Sequence, residues 1–279
     1  GAGFLGFGIW MRILSGRIWE NITQYEEKCG STVPASCNVS ISLTDIPTGK
    51  IYIYYQIDGF YQSHRKYFGS KSNLQLAGTE VRESEAPECQ GFLTNSQMGK
   101  TTSITGTPLD ADKVAVPCGS MAKSVFNGRR EFDLDNFKLW TTETIPKSVP
   151  ISSQGIAWAQ DKGVKFKNNK LGDQWLNMED ERFIVWMRAA MTPSFRKLWG
   201  WVENVTPGVY NLEINNNWPT SKWGGKKYFV LSQANVLGGK NNLLSYIYIG
   251  FGVLQLLTAI IFGGRKAARY DGILDEKVR

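Results

Sequence analysis

The longest apolar run of the chain lies near its carboxyl terminus. Residues 243–262, LLSYIYIGFGVLQLLTAIIF, are twenty residues without a charge. At about 1.5 Å of rise per residue, a helix of this length extends roughly 30 Å, which matches the hydrocarbon core of a bilayer. Buried helices of soluble proteins rarely extend this far without a polar face. The pattern therefore predicts a transmembrane helix over residues 243–264.

The amino-terminal segment is also apolar. It contains eleven residues before Arg12 and does not begin with methionine. A secretory signal has a basic first region and a small-residue cleavage site, and neither pattern occurs here. We interpret residues 1–15 as the outer part of a first transmembrane helix whose beginning lies upstream. Trp10 and Trp19 fit an interfacial aromatic belt, and the Arg12 side chain can extend its charge to the same interface.

Basic residues indicate how the two predicted helices are oriented. The segment RKAAR at residues 265–269 follows the second apolar run, and positively charged flanks favour the cytoplasmic side. Two spans then place both termini in the cytoplasm, with residues 265–279 as a tail. Residues 16–242 become a lumenal or extracellular ectodomain. We expect an integral membrane protein of the secretory pathway, in the endoplasmic reticulum, Golgi, endosome or plasma membrane.

Between the apolar ends, the pattern is that of short β-strands. Residues 51–57, IYIYYQI, are rich in β-branched and aromatic side chains, and residues 208–215, GVYNLEIN, alternate between apolar and polar. Residues 179–202 instead have acidic residues first and apolar ones at helical spacing, which predicts two helices separated at Pro193. The predicted fold is a membrane protein with two transmembrane α-helices flanking a β-rich α+β ectodomain, an antiparallel β-sandwich with helical insertions.

Cysteine usage supports an exported ectodomain. All four cysteines lie between the two predicted spans, and their spacing does not match a zinc site. Four cysteines allow three pairings, of which the local one is the simplest. It joins Cys29 to Cys37 and Cys89 to Cys118. Such disulfides form in oxidising compartments, whereas four free thiols fit an exported domain poorly.

Three N-x-S/T sequons predict N-linked glycans. They begin at Asn21, Asn38 and Asn204, and each needs only an exposed position in the secretory pathway. Asn38 is the best placed, because Asn21 lies near the membrane and Pro207 closely follows Asn204. Apart from glycans, no cofactor is expected.

Composition and motifs exclude several classes of function. The net charge is +7, but the 32 basic residues are scattered among 25 acidic ones, without the clustering of a nucleic-acid-binding surface. The single histidine, His64, and the lack of a G-x-S-x-G motif argue against a serine hydrolase. Glycine-rich segments at Gly224 and Gly238 do not have phosphate-loop spacing. The consecutive carboxylates at 179–181 are typical of a helix amino terminus. We predict no catalytic, cofactor-binding or metal-binding residue and no enzyme activity.

A series of motifs occurs in a fixed order along the chain. The series is FYQSHRKYFGSKSNLQLAG, PCGSMAKSVFN, GIAWAQDKGVKFKN, FIVWMRAAMTPSFRKLW, NNWP and LGGKNNLLSYIYI. These motifs cover nearly the whole predicted ectodomain and reach the second span. In sequence and in order they resemble the cell-division-control-fifty family, the accessory β-subunits of lipid-flipping type-IV P-type ATPases.

The resemblance implies a non-catalytic accessory subunit and chaperone. It would bind one ATPase α-subunit, lie among membrane lipids, and be needed for ATPase stability, export from the endoplasmic reticulum and phospholipid transport. In such proteins residues 57–78 are scaffold, so we expect Phe60, Tyr61 and Tyr67 to pack inside the fold. His64 is expected to be a buried or hydrogen-bonded structural residue. Partner contacts are expected at Arg65, Lys66, Tyr248 and Gln255.

Two other classes of protein share this outline. A homotrimeric ion channel also has two spans and a large cysteine-containing ectodomain, and Gln255 and Thr258 would then line its pore. Against a channel, the span has no ionisable residue, and neutral polar residues more often mediate helix packing. The third class is a membrane-anchored carbohydrate-binding sandwich. Stoichiometry distinguishes the three: a homotrimer indicates the channel, one copy on a larger ATPase the β-subunit, and a monomer retained by glycans the lectin.

Overall fold

The computed structural model describes residues 1–30, 35–126, 136–220, 223–235, 238–240 and 242–278. It divides the chain into two units. The larger unit is Asn21–Leu231, and the smaller one combines Gly1–Glu20 with Ser232–Arg279. The strands are β1 (Glu20–Gln24), β2 (Ala35–Leu43), β3 (Ile51–Asp58), β4 (Asn136–Thr141), β5 (Ser148–Val149), β6 (Phe195–Val202), β7 (Gly208–Asn216) and β8 (Lys226–Ser232).

The helices are mostly short. They are α1 (Ala2–Gly16), α2 (Glu26–Cys29), α3 (Arg65–Gly69), α4 (Asn73–Leu76), α5 (Asn95–Met98), α6 (Ser120–Lys123), α7 (Glu181–Met187) and α8 (Asn242–Val278), with 3-10 turns at Glu83–Glu85 and Pro87–Cys89. The larger unit therefore has a β-rich framework into which single helical turns are inserted.

Two four-stranded sheets form the core of the larger unit. Their strand orders are β1-β8-β3-β6 and β2-β7-β4-β5, and β2 with β7, β3 with β6, and β4 with β7 pair antiparallel. Alternate side chains of β3 from Ile51 to Ile57 are buried. Between the sheets, the ring of Phe137 lies 4.9 Å from that of Phe229 and 5.3 Å from that of Trp199, measured between centroids. The predicted β-rich α+β fold with antiparallel sheets is confirmed.

Residues 179–202 differ from the prediction of two helices. The first helix, α7, forms, and the Asp180 carboxylate caps it by accepting hydrogen bonds from the N–H groups of Arg182 and Phe183. The second predicted helix is wrong. Residues Phe195–Val202 form strand β6 and pair antiparallel with β3. Pairing along β3 satisfies the β6 backbone and buries its alternate side chains, which outweighs the helical spacing of the apolar residues.

The smaller unit consists mainly of α1 and α8, which approach closely at glycines. A Cβ at Gly8 would lie 2.8 Å from the backbone nitrogen of Ile249, and one at Gly252 would lie 2.6 Å from that of Leu5. Small residues of this kind let apolar helices pack backbone to backbone. Among the described residues, one helix segment, Asn242–Lys266, is long and apolar enough to cross a membrane, whereas α1 is a shorter apolar helix. The α8 helix continues to Val278, past residue 264, the predicted end of the second span.

Two disulfides brace the larger unit. They join Cys29 to Cys37 and Cys89 to Cys118, the local pairing among the three alternatives. Cys89 and Cys118 are both buried. The side chain of buried Gln75 supports the second disulfide, because its Oε1 accepts a hydrogen bond from the backbone N–H of Cys118 at 2.9 Å. Cys118 is therefore fixed in the core twice, by its disulfide to Cys89 and by the hydrogen bond from its backbone to Gln75.

Candidate interaction site

Aromatic side chains anchor the segment from residue 57 to residue 78 in the core. The Phe60 ring lies 6.1 Å from that of Trp186 and 5.2 Å from that of Trp218. The Tyr67 hydroxyl forms a hydrogen bond with Ser124 Oγ at 2.7 Å. Burial raises the pKa of Tyr67 to about 12, so its phenol stays protonated at physiological pH. Phe60 and Tyr67 therefore pack inside the fold, as predicted.

His64 and Tyr61 do not lie where they were predicted. His64 is exposed at the residue before α3, and its side chain does not cap that helix. Tyr61 is 62% exposed. The rings of Phe60 and Tyr67 and the buried side chain of Gln62 occupy the space against the core, so Tyr61 and His64 turn outward before α3 begins. The predictions that His64 is a buried or hydrogen-bonded structural residue and that Tyr61 packs inside the fold are therefore wrong.

A basic and aromatic surface surrounds α3. Arg65 and Lys66, two of the predicted partner contacts, are exposed there, and no carboxylate pairs with either of them within the described residues. The rings of Tyr61 and Phe68 are also exposed. We call these four residues, Tyr61, Arg65, Lys66 and Phe68, the α3 surface. Arginine and aromatic side chains are enriched at protein interfaces, so the α3 surface has the composition of a binding site for another protein.

The two predicted contacts on α8 have different surroundings. The Tyr248 ring is half-buried against α1, with its centroid 6.0 Å from that of Phe4 and 5.0 Å from that of Phe7. Gln255 is exposed on the apolar part of α8, and its amide makes no hydrogen bond within the described residues. In hydrocarbon, an amide without a partner is costly. Gln255 is therefore free to bind a neighbouring helix, while Tyr248 packs α8 against α1.

The three sequons differ in exposure. Asn38 on β2 and Asn204 in the turn after β6 are exposed. Asn21 is half-buried, and its Nδ2 donates a hydrogen bond to the Ser42 carbonyl at 3.4 Å. A glycan is attached through this same amide nitrogen. Asn38 and Asn204 are thus better placed for attachment than Asn21.

A wholly buried lysine links three separate parts of the larger unit. Lys227 on β8 donates hydrogen bonds to Asn216 Oδ1 and to the Trp218 carbonyl, and its Nζ lies 3.9 Å from Glu26 Oε2. Asn216 Nδ2 in turn donates to the Gly30 carbonyl at 3.2 Å, beside the Cys29 to Cys37 disulfide. The sequence pattern did not predict this cluster, although KKYFVLS places a lysine in phase with the buried residues of β8.

A second buried lysine caps the carboxyl end of α7. Lys197 on β6 donates hydrogen bonds to the carbonyls of Val185 at 3.1 Å, Trp186 at 3.0 Å and Arg188. Burial, together with repulsion from Arg188 and Lys71, lowers the pKa of Lys197 to about 7. The Lys197 side chain supplies donors to carbonyls that a helix leaves unpaired at its end.

The acidic residues at 179–181 have structural roles. Asp180 caps α7, and Glu181 accepts hydrogen bonds from the N–H groups of Ile156 at 2.7 Å and Ala157 at 3.0 Å and from Lys162 Nζ at 3.1 Å. Burial acts to raise the pKa of Glu181, but these hydrogen bonds outweigh it and hold that pKa below its ordinary value. In the part of the chain that the structure describes, no three His, Cys, Asp or Glu side chains are grouped to hold a metal ion.

Comparison with known proteins gives consistent matches over most of the chain. The model of the LEM3 (ligand-effect modulator 3) family / CDC50 family matches residues 19–270. ALA-interacting subunit 3 of Arabidopsis thaliana is 30% identical over 292 residues, which cover 93% of this chain and 75% of that protein. Cell cycle control protein 50A of Mus musculus is 30% identical over 305 residues, covering 92% and 78% respectively. Putative ALA-interacting subunit 2 of Arabidopsis thaliana is 33% identical over 250 residues, covering 83% and 65%.

Proposed function

Because this chain belongs to the LEM3/CDC50 family, we propose that it is the non-catalytic accessory subunit of a lipid-flipping type-IV P-type ATPase. It binds one ATPase α-subunit, which needs it for stability, for export from the endoplasmic reticulum and for transport. The names of two similar plant proteins, both ALA-interacting subunits, support an accessory role. In the proposed topology both termini are cytoplasmic, and residues 16–242 are lumenal or extracellular.

The observation that carries the proposal is the exposed amide of Gln255 on α8. The surrounding exposed side chains of α8 are apolar, as at Leu254 and Leu257. In the proposed complex, the ATPase supplies the hydrogen bond that Gln255 lacks within the described residues. Polar contacts between membrane helices are worth about 0.6 to 2 kcal/mol each. The α3 surface offers a second contact region of basic and aromatic character. A large membrane protein with loops on the same side as residues 16–242 would engage both regions.

Binding alone accounts for both roles of an accessory subunit. A protein that binds only the folded ATPase stabilises it by mass action, by about 2.7 kcal/mol at one hundred times the dissociation constant. The same contact favours one transport conformation if the accessory subunit binds that conformation more tightly. Neither effect needs a catalytic residue on this chain.

The proposal predicts that the chain purifies in mild detergent as a one-to-one complex with a P-type ATPase. Gln255→Leu should weaken that complex about 3- to 30-fold, because one membrane hydrogen bond is lost. Thr258→Val is the matched control and should leave the affinity unchanged, since the Thr258 hydroxyl already donates to the Gln255 carbonyl at 2.9 Å. Depleting the chain should retain the ATPase inside the cell and stop its transport of labelled phospholipid to the cytoplasmic leaflet.

Two results would contradict the proposed function. One is an ATPase that reaches its membrane and transports lipid at the normal rate after depletion. The other is a purified homotrimer that conducts ions, which would favour the channel class.

We also propose that residues 16–242 carry N-linked glycans at Asn38 and Asn204. Because both asparagines are exposed, Asn38→Gln and Asn204→Gln should each remove part of the mobility shift that glycosidase produces. Asn21→Gln should remove little of it, since the Asn21 amide is hydrogen-bonded to the Ser42 carbonyl. A wild-type chain from eukaryotic cells whose mobility glycosidase does not change would overturn the lumenal placement.

A further inference from the structure

A cavity of about 610 Å³ in the larger unit has a basic wall. Lys71, Lys165 and Arg188 line it, and Val164 and Phe166 add apolar surface. Among the lining residues that the structure describes, Asp161 is the only carboxylate. Volumes of about 300 to 1,000 Å³ are usual for sites that bind small molecules. The cavity is therefore large enough for a compact anion with an attached group.

The positive charge around this cavity is not balanced. Asp161 is 3% exposed, and it accepts hydrogen bonds from Lys165 Nζ at 3.0 Å and from Arg188 Nε at 2.8 Å and Nη2 at 2.5 Å. One carboxylate thus serves two cations. Lys71 has no carboxylate partner within the described residues, and its Nζ lies 4.7 Å from the ring centroid of Phe68. Burial lowers the pKa of Lys71, as expected for an ammonium group that lacks a compensating anion.

The Arg188 guanidinium is held in place before any ligand arrives. Asp161 binds its Nε and Nη2, and its central carbon lies 3.2 Å from the ring centroid of Trp158. The second terminal nitrogen, Nη1, is not used by Asp161. A guanidinium fixed by stacking and by a carboxylate loses little entropy when it binds an anion.

We propose that this cavity binds a phosphate group through Lys71, Lys165 and Arg188. Phosphate fits better than carboxylate, because it offers at least three acceptor oxygens to three cationic donors. The source is either free phosphate or the headgroup of an anionic phospholipid, whose carbon atoms would lie against Val164 and Phe166. No residue of the α3 surface lines the cavity, although Lys71 contacts one of them, Phe68. The inference does not depend on the ATPase.

Calorimetric titration of the purified full chain in an uncharged detergent tests this proposal. One arm uses inorganic phosphate, and the other uses monomeric dihexanoyl phosphatidic acid. We expect saturable binding of one ligand per chain that weakens as sodium chloride is raised. Equal affinity in the two arms identifies free phosphate as sufficient, and tighter binding of the phospholipid identifies the lipid as the source. No saturable binding in either arm overturns the proposal.

Substitutions assign the binding to the cavity. Lys71→Met should weaken it at least about 10-fold, because a charged hydrogen bond is lost. Lys226→Met is the matched control: Lys226 is exposed on β8 and does not line the cavity, so affinity should not change. Equal losses in the two variants overturn the proposal. If Lys71→Met fails to fold, Lys165→Met decides. Lys165 lines the cavity and its side chain is exposed, so its loss should weaken binding at least about 10-fold, and an unchanged affinity overturns the site.

Discussion

Replacing Cys89 and Cys118 together by alanine should lower the free energy of unfolding by about 3 to 4 kcal/mol. These cysteines are 29 residues apart, and without the disulfide the unfolded chain regains the freedom of that loop. Alanine is chosen because both positions are buried and a serine hydroxyl there would need a partner. Thermal or denaturant unfolding of the purified chain measures the loss. We expect the same variant to reduce ATPase binding through misfolding.

The Cys29 to Cys37 disulfide supplies the matched control. This disulfide joins cysteines that are only 8 residues apart. Its removal should therefore lower the free energy of unfolding by about 2 to 3 kcal/mol on the same loop-closure estimate. A larger loss at Cys29 and Cys37 than at Cys89 and Cys118 would contradict the loop-closure explanation. Peptide mapping without reduction checks the pairing itself, and crossed links or four free thiols would contradict the framework.

Lys227→Ala should lower the free energy of unfolding by about 3 to 5 kcal/mol. The substitution removes the ammonium group that serves Asn216, the Trp218 carbonyl and Glu26. These polar groups then remain in the core without their donor, and the space of the lysine side chain is left empty. Chemical denaturation of the variant gives the loss of stability directly.

The neighbouring residue is a control on the same strand. Lys226 is exposed, so Lys226→Ala should change the free energy of unfolding by less than about 0.5 kcal/mol. Lys227→Met adds a second comparison, because it keeps most of the volume and removes only the charge and the donors. A loss below about 1 kcal/mol for Lys227→Ala would contradict a stabilising role for the cluster.

Strands β3 and β7 could be predicted because their own residues determine them. β-Branched and aromatic side chains in IYIYYQI and the alternation in GVYNLEIN are typical of half-buried strands, and each pattern is complete within one short segment. Strand β6 could not be predicted in this way. Its residues, FRKLWGWV, fit a helical face as well as a strand, and pairing with β3, about 140 residues away in the chain, decides between them.

In the candidate sites, too, features determined by a short segment could be predicted, and features that depend on residues distant in the sequence could not. The local disulfide pairing and the exposed basic pair at Arg65 and Lys66 follow from short segments of sequence. The burial of Lys227 depends on Glu26 and Asn216, and the three residues come from three separate parts of the chain. The basic cavity likewise combines Lys71 with residues near 165 and 188. No pattern within one segment indicates such a meeting of distant side chains.

The unbroken length of α8 has a mechanical consequence. The helix has 37 residues, and twelve of them, 267–278, follow the apolar segment that ends at Lys266. At about 1.5 Å per residue, this extension projects roughly 18 Å. Because the extension continues the same helix, tilting the apolar segment by about 10° would displace the far end of the extension by roughly 3 Å relative to Lys266. A label near residue 278 would therefore report small reorientations of the apolar segment as larger displacements.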